Sequence, residues 1–269
     1  RRRRIPFAAY VGTAHSLDSN FKSKVMNALF AAGTLRIYKK NPVLAKTSAA
    51  KEELRQLGIP HAVIAPVGLD TAVLKKNIPA VEKMRLRKEH GFEADDVILC
   101  NVSRLSWEKR PLELIDLFLQ VKGKKKFKLI IVGNGPLEEE LNEKIRKNGL
   151  EKEVKIYPNV PYEKMWEIYE MSDHYLNMNK GEIFGMAIME AVYYKTSVAA
   201  IRALGPSVTL KDMKGHKLCE NDDEMAEWIT GPYPSEKDLQ ESSEKMAATF
   251  TWDRCADAFL QASSEKSSR

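Results

Sequence analysis

Between Val97 and Ala200 the chain repeats one unit: a short, largely apolar run, a turn rich in Gly, Pro or Asn, and an amphipathic stretch of helical period. Val97-Ile98-Leu99-Cys100-Asn101-Val102 is followed by a helix-compatible segment over 111–121. Phe127 to Val132 ends at Gly133-Asn134-Gly135-Pro136 and leads to Leu137, Leu141 and Ile145 on one face. Val154 to Tyr157 is followed by the turn Pro158-Asn159-Val160-Pro161 and a helix over 162–171. Apolar runs without alternation are strands buried on both faces, and strand alternating with helix predicts a doubly wound parallel α/β sheet. Turns that follow strands gather at the carboxyl ends of such a sheet, where open α/β folds bind ligands.

The same alternation opens the chain. Residues 5–14 read as a strand ending at Thr13-Ala14-His15-Ser16, and a helix over 21–38 carries Val25, Leu29 and Ala32 at helical spacing. Pro42 to Ala45 is a short strand, Thr47-Ser48 caps the next helix, Gly58 closes it, and Ala62 to Ala65 is a further strand. The charged stretch from Lys75 to His90 reads as a linker and a first helix, and Lys124-Lys125-Lys126 as a solvated turn. His174 to Asn177 and Ser197 to Ala200 are expected strands, Leu204-Gly205-Pro206 a turn, and 235–263 a helical tail.

Chemistry concentrates in Gly181-Glu182-Ile183-Phe184-Gly185-Met186-Ala187-Ile188-Met189-Glu190-Ala191-Val192. A glycine and an acid precede an apolar helical run, which puts Glu182 on a loop at a helix N-terminus and Glu190 within the helix. Eight residues of helix rise about 12 Å, roughly the span of a sugar joined to a nucleoside through a diphosphate. The amides of Phe184, Gly185 and Met186 would point at an anion, with Gly185 admitting close approach. Two solvated acids at a helix edge would show the same spacing. After the strand at 97–102, Arg104 and Lys109 offer a bidentate donor and a point charge for phosphate, whereas Lys109 alone also suits a surface pair with Glu108.

Glu-x7-Glu around Phe-Gly, with Arg-Leu-x-x-Glu-Lys at 104–109 and Gly-x-Gly-Pro at 133–136, resembles the retaining nucleotide-sugar glycosyltransferases of the large bacterial group 1, or family 4, type with the GT-B fold. The resemblance implies two Rossmann-type domains, the N-terminal one truncated: 1–72 on the acceptor side, 73–232 for the nucleotide sugar, and a helix in 233–269 crossing back. It implies that Glu182 accepts from the sugar and Glu190 from the ribose, that Arg104 and Lys109 hold the diphosphate, that Gly133 and Asn134 line the donor, and that the turn at Val160 holds the base through backbone groups. His15, in Thr13-Ala14-His15, is similar to the family's catalytic cleft histidine; a buried histidine satisfied by neighbours is an equal reading. For Gly133-Asn134-Gly135-Pro136, a tight turn without phosphate is at least as good a reading. Pro158-Asn159 stands where the family has glycine, and Ser207-Val208-Thr209 where it has glutamate after Gly-Pro.

The implied activity is sugar transfer from a nucleotide-diphospho-sugar, UDP-linked rather than GDP-linked, to a glycan or lipid-linked acceptor. A binding module without catalysis, or an epimerase or phosphorylase of the same fold, is the alternative. No Asp-x-Asp triplet, zinc spacing or GxGxxG fingerprint occurs, so no metal or further cofactor is expected; the three cysteines are far apart and have no CxxC partner. Aromatic residues do not interleave with the basic runs as in a single-strand nucleic-acid binder. No signal peptide or long apolar span is read, so the expected compartment is the cytoplasm. The net charge of +6 suits an anionic partner. Arg1 to Arg4, Lys22, Lys24, Arg36, Lys39 and Lys40, beside Phe21, Met26, Leu29 and Phe30, suggest peripheral binding to an anionic membrane.

Overall fold

The computed structural model describes residues 8–12, 21–74 and 78–267. His15, Arg1 to Arg4 and the side chains of Phe21, Lys22, Lys24, Met26, Leu29 and Phe30 lie outside the described residues, and with them the expected histidine contact and membrane face. Among the described residues no helix is long and apolar enough to cross a membrane. The chain forms two compact units, one running to Leu69 and resuming at Phe250, the other spanning Asp70–Thr249.

The smaller unit contains β1 (Ala9–Val11), α1 (Phe21–Lys40), β2 (Val43–Ala45), α2 (Ser48–Gln56), β3 (Val63–Ile64) and the C-terminal helix Trp252–Ser267. Its strands pair in parallel in the order β1-β2-β3, with Ala9 opposite Val43 and Ala45 opposite Ile64. Thr47 caps α2, its hydroxyl accepting from the Ala50 amide at 3.0 Å, and Gly58 leaves the helix at φ 78°. Leu54 and Ile59 close one face of the sheet, and Ala258 and Ala262 of the C-terminal helix cover the other.

The larger unit follows in chain order: α3 (Ala80–Glu89), β4 (Val97–Val102), α4 (Pro111–Val121), β5 (Phe127–Val132), α5 (Glu138–Lys147), β6 (Val154–Tyr157), α6 (Met165–Met171), β7 (His174–Asn177), α7 (Met186–Tyr193), β8 (Ser197–Ile201), α8 (Leu204–Thr209), β9 (Lys217–Cys219), α9 (Asp222–Thr230) and α10 (Glu236–Thr249). All six strands are parallel in the order β6-β5-β4-β7-β8-β9. The winding therefore reverses between β4 and β7, and a ligand crevice is expected at their carboxyl ends. Leu99, Leu129, Ile131, Leu176 and Ala199 line one face of the sheet and pack with Leu114, Phe118 and Ile229 from the helices.

Three expectations need correcting. The helical tail is two helices: α10 packs on α7 within the larger unit, and Trp252–Ser267 packs on β2 and β3, so the division falls at Leu69 and Thr249 rather than at 72 and 233. Gly205-Pro206 opens helix α8 instead of forming a turn, because proline in a first turn sacrifices no helical hydrogen bond. Lys124–Lys126 is the expected turn, with Lys124 and Lys126 exposed, and it is also tied down: the Lys125 ammonium donates to the carbonyls of Gly231 (2.7 Å) and Ile229 (3.3 Å) at the end of α9, and Lys126 pairs with Asp95 at 2.8 Å. β9 and α9 were not expected at all.

The amino end of the central strands is fixed by a largely buried charge cluster. Asp173, just before β7, accepts from the Ile98 amide of β4 at 2.8 Å and pairs with Arg87 at 2.7 Å and Lys83 at 3.0 Å. Arg87 also donates to Met171 O at 3.0 Å and Asp96 O at 3.1 Å. Burial raises the Asp173 pKa, but the Lys83 and Arg87 charges outweigh it and hold the carboxyl below its usual range. Arg87→Met is expected to cost about 3 kcal/mol at pH 7, since it strands part of a buried charge. A depressed folded pKa gives stability that is present above the unfolded value and lost as pH falls through the folded one. The deficit in urea unfolding should therefore shrink below about pH 4; a deficit unchanged to pH 2.5, or below 1 kcal/mol at pH 7, would contradict this.

Candidate active site

β4 and β7 pair only at Leu99–His174 and Cys100–Tyr175. Beyond that register the Asn101 side chain replaces the ladder, its amide donating to Leu176 O at 2.8 Å while its oxygen accepts from the Ser103 hydroxyl at 2.9 Å. The two strands separate here, and the loop after each carries one half of a charged site.

After β4, Ser106 to Arg110 form a tight turn with a 3-10 segment at Trp107–Lys109. Its Lys109 ammonium lies 2.8 Å from Glu182 Oε2 in the loop after β7, both side chains largely enclosed at 20% and 15% exposure. That second loop is shaped by asparagines. Asn177 Oδ1 accepts from the Asn179 amide (3.0 Å), Asn179 Oδ1 from the Gly181 amide (2.9 Å), and Asn179 Nδ2 donates to Glu182 Oε2 (3.1 Å). Burial pushes the Glu182 carboxyl up, but the Lys109 hydrogen bond and charge, with Asn179 and Asn177, outweigh it and keep it below the usual range. Glu182 is thus an ionised acceptor held in place beside a cation.

Arg104 behaves differently. Its side chain is 77% exposed and, among the described residues, pairs with Glu108, at 3.1 Å, on the same loop. Glu108 is in turn held by the Ser106 hydroxyl at 2.7 Å.

Gly185, at φ 87°, is the N-cap of α7, and the helix begins at Met186. Glu190 therefore lies four helical steps from the first residue, about 6 Å of rise rather than the 12 Å expected for eight; the remaining distance to Glu182 is covered by loop. Phe184 is buried, and Met186 is at the surface where the first amides of the helix open. Glu190 is buried, and its Oε2 accepts from the Tyr169 hydroxyl at 2.7 Å. Burial raises its pKa, against the hydrogen bonds of Tyr169 and Tyr162.

The description "Glycosyl transferases group 1" matches residues 82–246, more than half of the chain. The chain belongs to that family. D-inositol 3-phosphate glycosyltransferase of Mycobacterium avium is 26% identical over 285 residues, covering 93% of this chain and 62% of the relative. Alpha-monoglucosyldiacylglycerol synthase of Streptococcus pneumoniae is 24% identical over 139 residues, covering 51% and 32%. Anabaena HepE, crystallised with UDP and glucose, superposes with a TM-score of 0.75 at 19% identity, covering 98% of this chain and 72% of HepE. The fold is that of GT-B glycosyltransferases, and the chain spans about three fifths of the M. avium relative's length, 62%.

In this group 1 family member the glycine turn after β5 supports the Arg104–Lys109 loop from below. A Cβ on Gly133 would lie 1.9 Å from Ser103 O, and one on Gly135 2.5 Å from Leu105 O. The Gly133 amide is engaged with Tyr157 O at 2.9 Å, and Asn134 O accepts from the Leu105 amide at 2.8 Å. The Asn134 side chain donates to Pro158 O at 3.0 Å in the turn after β6, where Val160 is half-buried.

Several residues that shape the site were not singled out in the sequence. Asn177-x-Asn179-x-Gly181 at a strand end is a readable signal for side-chain-stabilised turns. Arg110 had none. It is a non-glycine residue at φ 54°, clasped by both Asp222 oxygens at 3.0 and 2.8 Å and donating to Met178 O at 3.4 Å. That clasp joins the two site loops to the start of α9.

Proposed function

We propose that the chain transfers a sugar from a nucleotide-diphospho-sugar, UDP-linked rather than GDP-linked, to a hydroxyl of a glycan or lipid acceptor with retention of configuration. The observation that carries this is the Lys109–Glu182 pair at the sheet's winding reversal, with Glu190 buried in helix α7, which follows the Glu182 loop. An ammonium has three donors, so Lys109 can keep Glu182 and still meet a phosphate oxygen. Glu182 would accept from sugar hydroxyls, Glu190 from the ribose, and exposed Arg104 is free to swing from Glu108 onto the diphosphate. The Val160 turn would hold the base.

In this reading the bond from the anomeric carbon to the diphosphate oxygen breaks, its electron pair leaving with the diphosphate. The acceptor oxygen bonds to the same face of that carbon, and its proton passes to the departing phosphate oxygen. Fixed charge and positioning, with no covalent sugar intermediate, supply the acceleration. The names of the M. avium and S. pneumoniae relatives and the UDP in HepE support the substrate class. Calorimetric titration is expected to show UDP binding more tightly than GDP, and binding of neither would sink the proposal.

A further inference from the structure

Glu190 is more than a buried acid in a helix, because its surroundings are built around one orientation of its carboxylate. Tyr169 of α6 is only 1% exposed. Its ring stacks on Tyr194 at 5.8 Å and 9° and tilts against Tyr175 at 6.2 Å, and its carbonyl accepts from the Thr196 hydroxyl at 2.9 Å. A ring fixed from both sides and at its backbone delivers its hydroxyl to one place, Glu190 Oε2, at 2.7 Å. The terminal torsion of a glutamate is soft, so a carboxylate without such a donor samples many orientations. Four lone-pair sites are available on it, and Tyr169 takes one from the core side. Tyr162, 45% exposed in the segment after β6, is a second hydroxyl that acts on the same carboxylate.

We infer that Tyr169 is a positioning residue for nucleoside recognition: its hydroxyl aims the Glu190 carboxylate so that the remaining lone pairs receive the ribose hydroxyls. This rests on the reading that Glu190 faces the ribose. Tyr169 touches no ligand itself. Its contribution is to remove the rotational freedom that Glu190 would otherwise lose on binding, which is the advantage of preorganisation.

The test compares Kd for UDP and for 2′,3′-dideoxyuridine diphosphate, so that the ratio isolates the ribose hydroxyls from base and diphosphate. Wild type should prefer UDP by at least tenfold, the scale of one hydrogen bond to a charged acceptor. Tyr169→Phe keeps the ring and should narrow the preference to about two- to threefold, a change of under half a decade remaining. Tyr175→Phe loses an equally buried hydroxyl that goes to Val102 O at 3.4 Å, and should keep the wild-type ratio whatever it does to Tm. If Tyr169→Phe does not fold, Tyr162→Phe at its exposed site decides, with the ratio expected to narrow in the same direction. An unchanged ratio in a folded Tyr169→Phe overturns the inference while leaving the proposed function standing. Absence of any UDP preference in wild type removes the ribose role of Glu190, and the inference with it.

Discussion

Lys109→Ala is expected to lower sugar transfer by two to three orders of magnitude, roughly the cost of removing one fixed donor from a developing oxyanion. Two losses combine. In the proposed reaction the departing diphosphate loses a point charge, and Glu182 loses the partner that holds its carboxyl below the usual range. With Lys109 gone, burial remains as the largest influence on Glu182, and burial raises its pKa. The variant's residual activity should therefore depend on pH near the carboxylate range, rising as Glu182 ionises, at higher pH than in wild type. Lys109→Arg restores charge but places a planar fork where a compact ammonium fitted, and should recover only part of the rate. Arg104→Ala should cost less than Lys109→Ala, since Arg104 is exposed and its partner Glu108 is itself half exposed. Rates of transfer from a UDP-sugar at pH 4.5 to 8 test this ordering; equal losses at both positions, or a Lys109→Ala rate within fivefold of wild type, would contradict it.

Strands β4, β5 and β6 begin and end where the sequence places them: β4 and β5 are buried almost throughout, and all three are flanked by turn residues. Burial on both faces leaves a continuous apolar run, which is the clearest strand signal a parallel sheet offers. β9 fails on the same criterion: it is a three-residue edge strand beginning at a lysine. α9 had a readable start, Asn221 before Asp222, Asp223 and Glu224, with the Asn221 side chain accepting from the Glu224 amide at 2.9 Å. Glu182 and Lys109 were each legible as residue types at loop positions. Their pairing was not, since it joins residues far apart in the chain through the adjacency of β4 and β7, which local periodicity does not specify. Tyr169 hid for a similar reason, as a helical tyrosine among apolar neighbours looks like core until its hydroxyl partner is seen.

Gly133→Ala is expected to destabilise the larger unit by about 4 kcal/mol, the sum of backbone strain and overpacking. The residue has φ 139°, a region that side chains avoid, and its Cβ would overlap Ser103 O at 1.9 Å and Ser103 C at 2.9 Å. Neither atom belongs to a flexible side chain. Ser103 is anchored through its amide to Val132 O at 3.0 Å, so relief requires moving the start of the loop that carries Arg104 and Lys109. Gly149→Ala provides the comparison, because Gly149 also has positive φ, at 62°, but meets nothing within 4 Å. It should cost only the strain of a left-handed residue, about 1 to 2 kcal/mol. The difference between the two variants in urea unfolding measures the overlap at Ser103. It also separates the two readings of the Gly133-Asn134-Gly135-Pro136 turn. A glycine needed only for close approach of phosphate would abolish UDP binding on substitution yet lose no more stability than Gly149→Ala. A glycine that seats one loop against another loses stability first, and UDP affinity falls because Lys109 is displaced; the engaged Gly133 amide favours this second outcome.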